Sequence, residues 1–295
     1  MKARYINPYT DFGFKKLFGE EGSKNLLVDF LNQLLPIEHK IVNLSFKNSE
    51  QLGHTAAERK AIFDIHCENE KGDRFIVEMQ KAKIKFFKDR SFFYTTFPIK
   101  EQAEKGDWDF RLTPVYCVAI LDFTFDEYRE QKDFISNVQL KDQYCRVFYN
   151  KLTFIFIEMP RFEKKEHELV THFDKWLYFL KNLENFESIP EILNEEVFVQ
   201  GFHIAEIANF DEKQQAEYEE SLKVYRDLKG VIDTSFEEGK IEGRLEGRIE
   251  GKQEGLIEGM KNRNIEIARE MKKSGEPFDT ISRYTGLAVK EIENL

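Results

Sequence analysis

Apolar and polar residues alternate across residues 63–80, Phe-Asp-Ile-His-Cys-Glu-Asn-Glu-Lys-Gly-Asp-Arg-Phe-Ile-Val-Glu-Met-Gln, and this period of two predicts a pair of strands joined by a tight turn. Phe63, Ile65 and Cys67 form one apolar set with Phe75, Val77 and Met79, while Asp64, His66, Glu68, Ile76, Glu78 and Gln80 take the opposite side. A loop of Glu70, Lys71 and Gly72, with glycine supplying the left-handed backbone at its last position, pairs Asn69 with Asp73. Counting back along both strands sets Asp64 opposite Glu78.

Around this hairpin the pattern changes period. Asp11-Phe-Gly-Phe-Lys-Lys-Leu-Phe and Ser23–Leu35 carry helical spacing, the second capped by Ser23 and stopped by Pro36. Ile41–Lys47 alternates as a strand, and a helix is expected from about Ile84 to Phe97, with Pro98 kinking or restarting it. Pro114–Phe123 is almost continuously apolar, the mark of a strand buried on both sides. Gln143–Tyr149 and Thr153–Glu158 add two strands, and helices return from about Glu163 to Asn182 and onward. This order implies an α/β core of four to six strands in mixed directions, flanked by helices.

Later in the chain Gly239, Gly243, Gly247, Gly251, Gly255 and Gly259 recur every fourth residue in a Gly-Lys/Arg-Ile/Leu-Glu pattern. Ile241, Leu245, Ile249 and Ile257 fill one column, which Gln253 interrupts. Four residues advance about 400° on a helix, so each column winds slowly around the axis. Each glycine costs about 1 kcal/mol relative to alanine. Self-association or docking along 239–259 is one reading, giving a homo-oligomer; a solvated, charge-laced connector is the other. Charges interrupt every repeat, so the membrane version of this glycine spacing does not apply. A helix to about Lys273, an end at Gly275, a short helix over Phe278–Tyr284, a turn at Gly286 and a last helix to Leu295 complete the chain. The expected layout is a folded domain over 1–230, a glycine-repeat connector over 231–262 and a small helical module over 263–295. The acidic final segment Val289–Leu295 favours protein contact over base reading.

A chain of 295 residues that is 41% apolar, with 28 Phe, can fill one large core and carry an appendage. Cys67, Cys117 and Cys145 have no metal-ligand spacing and cannot all pair, so reduced thiols in a cytoplasmic protein are expected. The opening residues lack an apolar signal core, and no apolar run approaches about 18 residues, so neither secretion nor a membrane span is expected. The net charge is −10, yet residues 1–100 carry +4 and the remainder −14. Lys81, Lys83, Lys85, Lys88 and Arg90, against Asp89 alone, directly follow Gln80. Such a segment can grip phosphates, or it can be an ordinary solvated helix start.

Cross-strand neighbours have Cβ atoms about 4.5–5.5 Å apart, so the carboxylates of Asp64 and Glu78 repel unless a cation lies between them. An Asp and a Glu with room for water suit Mg²⁺, which can activate a water beside a phosphodiester. Gln80 points the same way and could orient that water, although it supplies no charge. The plain alternative is a solvated polar strand face. No histidine sits in a recognisable nucleophile context, which leaves a Ser/His/Asp hydrolase without support.

With Asp11 to Phe18, Asp64, Glu78-Met-Gln80 and the glycine repeat in view, the chain resembles the PD-(D/E)XK nuclease-family transposases, also described as recombination-promoting nucleases. The resemblance implies a restriction-endonuclease-like core over about residues 3–230 and DNA cleavage with Mg²⁺, for which Mn²⁺ can substitute. It also implies a role linked to recombination or mobile DNA. Asp64 and Glu78 become the metal ligands, and Gln80 stands where most of the superfamily has Lys, as in this transposase branch. A neutral amide stabilises a charged transition state less than lysine does. The alternatives are a nuclease-fold scaffold acting through the tail, and a nuclease for RNA. Lys81 follows, but strand alternation points it away unless the strand ends or bulges; Lys15 or Lys16 could reach in instead. Asp11 matches the acidic residue opening the family motif, as a site residue or a helix cap. Lys83 belongs to the basic segment, and Arg90 with Tyr94, four residues apart on one helical face, resembles a family pair that contacts nucleic acid or packs.

Overall fold

The computed structural model describes residues 3–35, 40–48, 50–51, 61–103, 109–128, 130 and 132–295. They divide into two compact units, residues 1–229 and 230–295. Eight strands are described: β1 (Leu44–Phe46), β2 (Glu50–Gln51), β3 (Ala61–Ile62), β4 (Ile65–Asn69), β5 (Arg74–Gln80), β6 (Val115–Leu121), β7 (Ile135–Lys141) and β8 (Val147–Glu158). The helices are α1 (Asp11–Phe18), α2 (Lys24–Leu34), α3 (Phe87–Lys100), α4 (His172–Asn182), α5 (Glu196–Ala205), α6 (Glu212–Lys273), α7 (Phe278–Thr285) and α8 (Val289–Glu293).

In the first unit six strands form one mixed sheet in the order β1-β4-β5-β6-β8-β7, with β5, β6 and β8 parallel and the other pairings antiparallel. The hairpin register matches the one derived from its turn. Ile65 faces Val77, Cys67 faces Phe75, and Asn69 N–H donates to Asp73 O at 3.0 Å, with Gly72 at φ +83°. A side chain at that φ is strained.

Helices α1, α2, α4 and α5 cover one face of the sheet, where Phe14, Phe18, Phe30, Trp176, Phe179 and Phe198 are fully buried with Ile65, Cys67, Phe75 and Val77. The opposite face is not the solvated surface that alternation alone allows. Helix α3 covers it with Phe87, Tyr94 and Phe97, against Ile76, Cys117, Ala119, Leu121 and Phe156. Phe63 belongs here too, edge-on to Tyr94 at 5.1 Å, and not with Ile65 and Cys67 as expected. The chain bends at Asp64 before β4 begins, so strict alternation does not extend back to Phe63.

Several boundaries also differ from expectation. Ser23 does not cap α2; its hydroxyl donates to Glu20 O at 3.2 Å within a 3₁₀ turn. The stop assigned to Pro36 lies outside the described residues. Pro98 sits inside α3 without restarting it, and Phe86, left-handed at φ 63°, sets the helix start at Phe87. One strand of 12 residues, β8, replaces the two expected, and β7 pairs alongside it. Helix α4 begins only at His172, where Thr171 and Asp174 form a reciprocal cap.

In the second unit the end of α6 packs on α7 and α8 through Ala268, Ile281, Leu287 and Ile292. Gly275 and Gly286 take left-handed φ of 80° and 71° at the turns. Lys272 Nζ donates to the carbonyls of Ile292 and Glu293, satisfying the end of α8. The three cysteines are free. No described helix is long and apolar enough to cross a membrane.

Gly13 fixes how α1 joins the body. A Cβ there would meet Asn7 O at 2.2 Å and Thr10 Oγ1 at 2.8 Å. Gly13→Ala is expected to cost roughly 1–3 kcal/mol in urea unfolding, the range of overpacking in a filled site; an unchanged midpoint would contradict this packing.

Candidate active site

Asp64 and Glu78 reach one another because the tight turn fixes the register of β4 on β5. Each carboxylate then accepts from the other strand's backbone: Met79 N–H donates to Asp64 Oδ2 at 2.8 Å, and Asp64 N–H donates to Glu78 Oε1 at 3.2 Å. Among the described residues no donor reaches the second oxygen of either group. The buried polar atoms without a hydrogen-bond partner among the described residues are His66 Nε2 and Arg74 Nε. Two acidic oxygens with no donor of their own thus lie beside the sheet, although Glu78 as a whole is only 6% exposed.

Burial, and then the neighbouring Asp64, push the Glu78 carboxyl up to about 8. Burial also raises Asp64, against the lowering effect of the Met79 N–H. Two unit charges about 5 Å apart repel by roughly 3 kcal/mol at an effective dielectric near 20. The cations that oppose this repulsion come from two helices and the strand end. Lys15 on α1 acts on both carboxylates, Lys81 on Asp64, and Arg90 on Glu78.

The surrounding residues sort themselves by partner. Thr10, not Asp11, caps α1, accepting from Gly13 N–H at 2.9 Å. Asp11 instead binds Lys81 Nζ at 2.6 Å. Strand β5 ends at Gln80, which frees Lys81 from alternation and lets it turn toward α1. Lys16 points elsewhere, to Glu20 at 3.0 Å and over the Phe210 ring. Lys83 pairs with Asp126 and Lys88 with Glu127, so much of the basic segment is neutralised within the chain. Gln80 Nε2 donates to Ala82 O at 2.9 Å, which holds the amide beside the strand end. Arg90 Nε donates to Tyr94 Oη at 2.8 Å across one turn of α3, on the face that carries Glu78.

Asp122 was not among the expected site residues. It follows the last residue of β6, and its N–H donates to Gln80 O at 3.0 Å. Its only sequence signal is being the first charged residue after a continuous apolar run.

The donor set has the chemistry that suits a hard cation of the Mg²⁺ type: two carboxyl groups side by side, each with one oxygen that no described donor reaches. It does not resemble a closed structural zinc site, and the described residues hold no group of three or more His, Cys, Asp or Glu that could take a metal by itself.

Residues 8–235 match the family model described as PD-(D/E)XK nuclease family transposase, and the chain belongs to that family. The family points to a nuclease related to transposition. No curated protein and no solved structure gives a match.

The raised carboxyl of Glu78 binds its proton more tightly in the folded chain than at its ordinary value of 4.5. The stability this contributes is complete below about 4.5 and is lost as pH rises through about 8. In EDTA, urea unfolding should show stability falling across that window, and Glu78→Gln should flatten the fall. An identical slope in the variant would contradict the placement of Glu78.

Proposed function

We propose that the chain is a Mg²⁺-dependent DNA endonuclease with a restriction-endonuclease-like core, acting in recombination or on mobile DNA. The observation that carries this reading is the adjacent pair Asp64 and Glu78, each with one oxygen that no described donor reaches. Those oxygens would hold the ion, which when bound would supply water activation and charge stabilisation at the phosphodiester. Gln80, with its Nε2 fixed on Ala82, would offer Oε1 to orient the hydrolytic water. Lys15, Lys81 and Arg90 place positive charge around the two acids, where the phosphate of a bound strand needs it. Asp11 holds Lys81 in that position, and Tyr94 does the same for Arg90.

A second reading, a nuclease-fold scaffold working through its tail, is favoured by a separate feature. A Cβ added at any glycine from Gly239 to Gly259 would meet nothing within 4 Å, so packing within the chain does not call for these residues. Ile241, Leu245, Ile249 and Ile257 are each more than half exposed on the same helix. Segment 239–259 would then serve self-association, with 231–262 as a connector and 263–295 as a protein-contact module in a cytoplasmic protein.

Plasmid nicking separates the two. Purified protein should nick supercoiled DNA with Mg²⁺ or Mn²⁺, and Asp64→Ala should lower the rate on the order of 100-fold or more, the scale of losing one preorganised charge-stabilising group. Full activity in that variant would remove the endonuclease assignment. A wild-type protein that fails to nick under either metal would favour the scaffold.

A further inference from the structure

A cavity of about 490 Å³ has the C-terminal end of the parallel strands as its floor. Asp122 follows β6 and Pro160 follows β8, and the Asp122 N–H on Gln80 O ties this floor to the end of β5. Tyr9, two residues before Asp11, forms part of the wall, so the cavity borders the segment that leads into α1. The opposite wall is α6, through Tyr225, Arg226 and Lys229. Tyr225 is 8% exposed, and its hydroxyl donates to Asp122 Oδ2 at 3.2 Å. Lys229 lies over the Tyr225 ring, one turn further along the helix. Arg226 and Lys229 are exposed, and neither makes an ion pair among the described residues.

We propose that this cavity holds one nucleotide of a bound nucleic-acid strand, with Arg226 and Lys229 gripping its phosphate and Tyr9 and Tyr225 in the lining facing its sugar and base. The combination of features selects this class of ligand. Two cations at i and i+3 on one helix suit an anionic group such as a phosphate, and an apolar ligand would leave them without a partner. The lining combines Tyr9 and Tyr225 with the cation Lys181 and the acids Asp122 and Glu184, so the phosphate is assigned to the Arg226 and Lys229 side; the volume lies within the range of about 300–1,000 Å³ usual for small-molecule sites. The carboxyl ends of parallel strands are also where ligands bind in open α/β sheets. The proposal rests on the nuclease reading for its link to cleavage, but the binding it describes stands on the cavity itself.

Binding is therefore measured apart from cutting, on the full chain in EDTA, by the anisotropy of a fluorescein-labelled single-stranded oligonucleotide. The double variant Arg226→Ala/Lys229→Ala should raise Kd about tenfold and reduce the dependence of log Kd on log salt by roughly 2, about one for each phosphate contact removed. An unlabelled deoxynucleoside 5′-monophosphate should displace the probe where equimolar inorganic phosphate does not. Wild-type protein that does not bind, a double variant with wild-type Kd and salt slope, or equal displacement by inorganic phosphate would each overturn the proposal. A chain that nicks plasmid through Asp64 while its oligonucleotide binding ignores both cations keeps the nuclease reading and loses this site. A chain whose binding depends on both cations but which never cuts keeps this site and loses the nuclease reading.

Discussion

Two acidic side chains on neighbouring strands each take a backbone N–H from the other's strand, and the rest of the site is arranged around that exchange. The Met79 N–H on Asp64 and the Asp64 N–H on Glu78 fix both carboxylates on one side of the sheet, each with an oxygen to spare. Their mutual repulsion is unfavourable in a largely buried setting, and the chain meets it only in part, with Lys15, Lys81 and Arg90 arriving from three different places in the chain. A small hard cation would complete the compensation, because it brings charge to the two oxygens that no N–H reaches.

The central hairpin was legible because a single residue controls it. Gly72 permits the left-handed turn, the turn sets Asn69 on Asp73, and the register carries Ile65 to Val77, which leaves Asp64 one residue beyond the ladder and next to Glu78. The second layer was not legible from alternation. Phe87, Tyr94 and Phe97 lie on a helix whose face is read only against the sheet it covers, so the side bearing His66 and Glu78 looked like surface and proved to be interior. Phe63 was misplaced for a local reason: the backbone leaves strand geometry at Asp64, and a period of two has no meaning across that bend.

Charge placement shows the same division. The run from Lys81 to Arg90 reads as one basic patch in the sequence, but its members part company in three dimensions. Lys81 turns to Asp11, Lys83 and Lys88 turn to the acidic turn after β6, and Arg90 stays on the helix face above Glu78. Only tertiary folding supplies Asp126 and Glu127 as partners, some 40 residues away. The positive charge left for a nucleic-acid strand is accordingly narrower than the sequence implies, and it is gathered around the two acids.

The central claim is that Asp64 and Glu78 act as one cation-binding pair. Titration of the protein with Mn²⁺, followed by the electron paramagnetic resonance of the free ion, tests it without reference to substrate. One ion should bind per chain, and Asp64→Asn or Glu78→Gln should each abolish that binding while leaving the far-ultraviolet circular dichroism unchanged. Wild-type protein that takes up no Mn²⁺, or either variant binding it as the wild type does, would contradict the account.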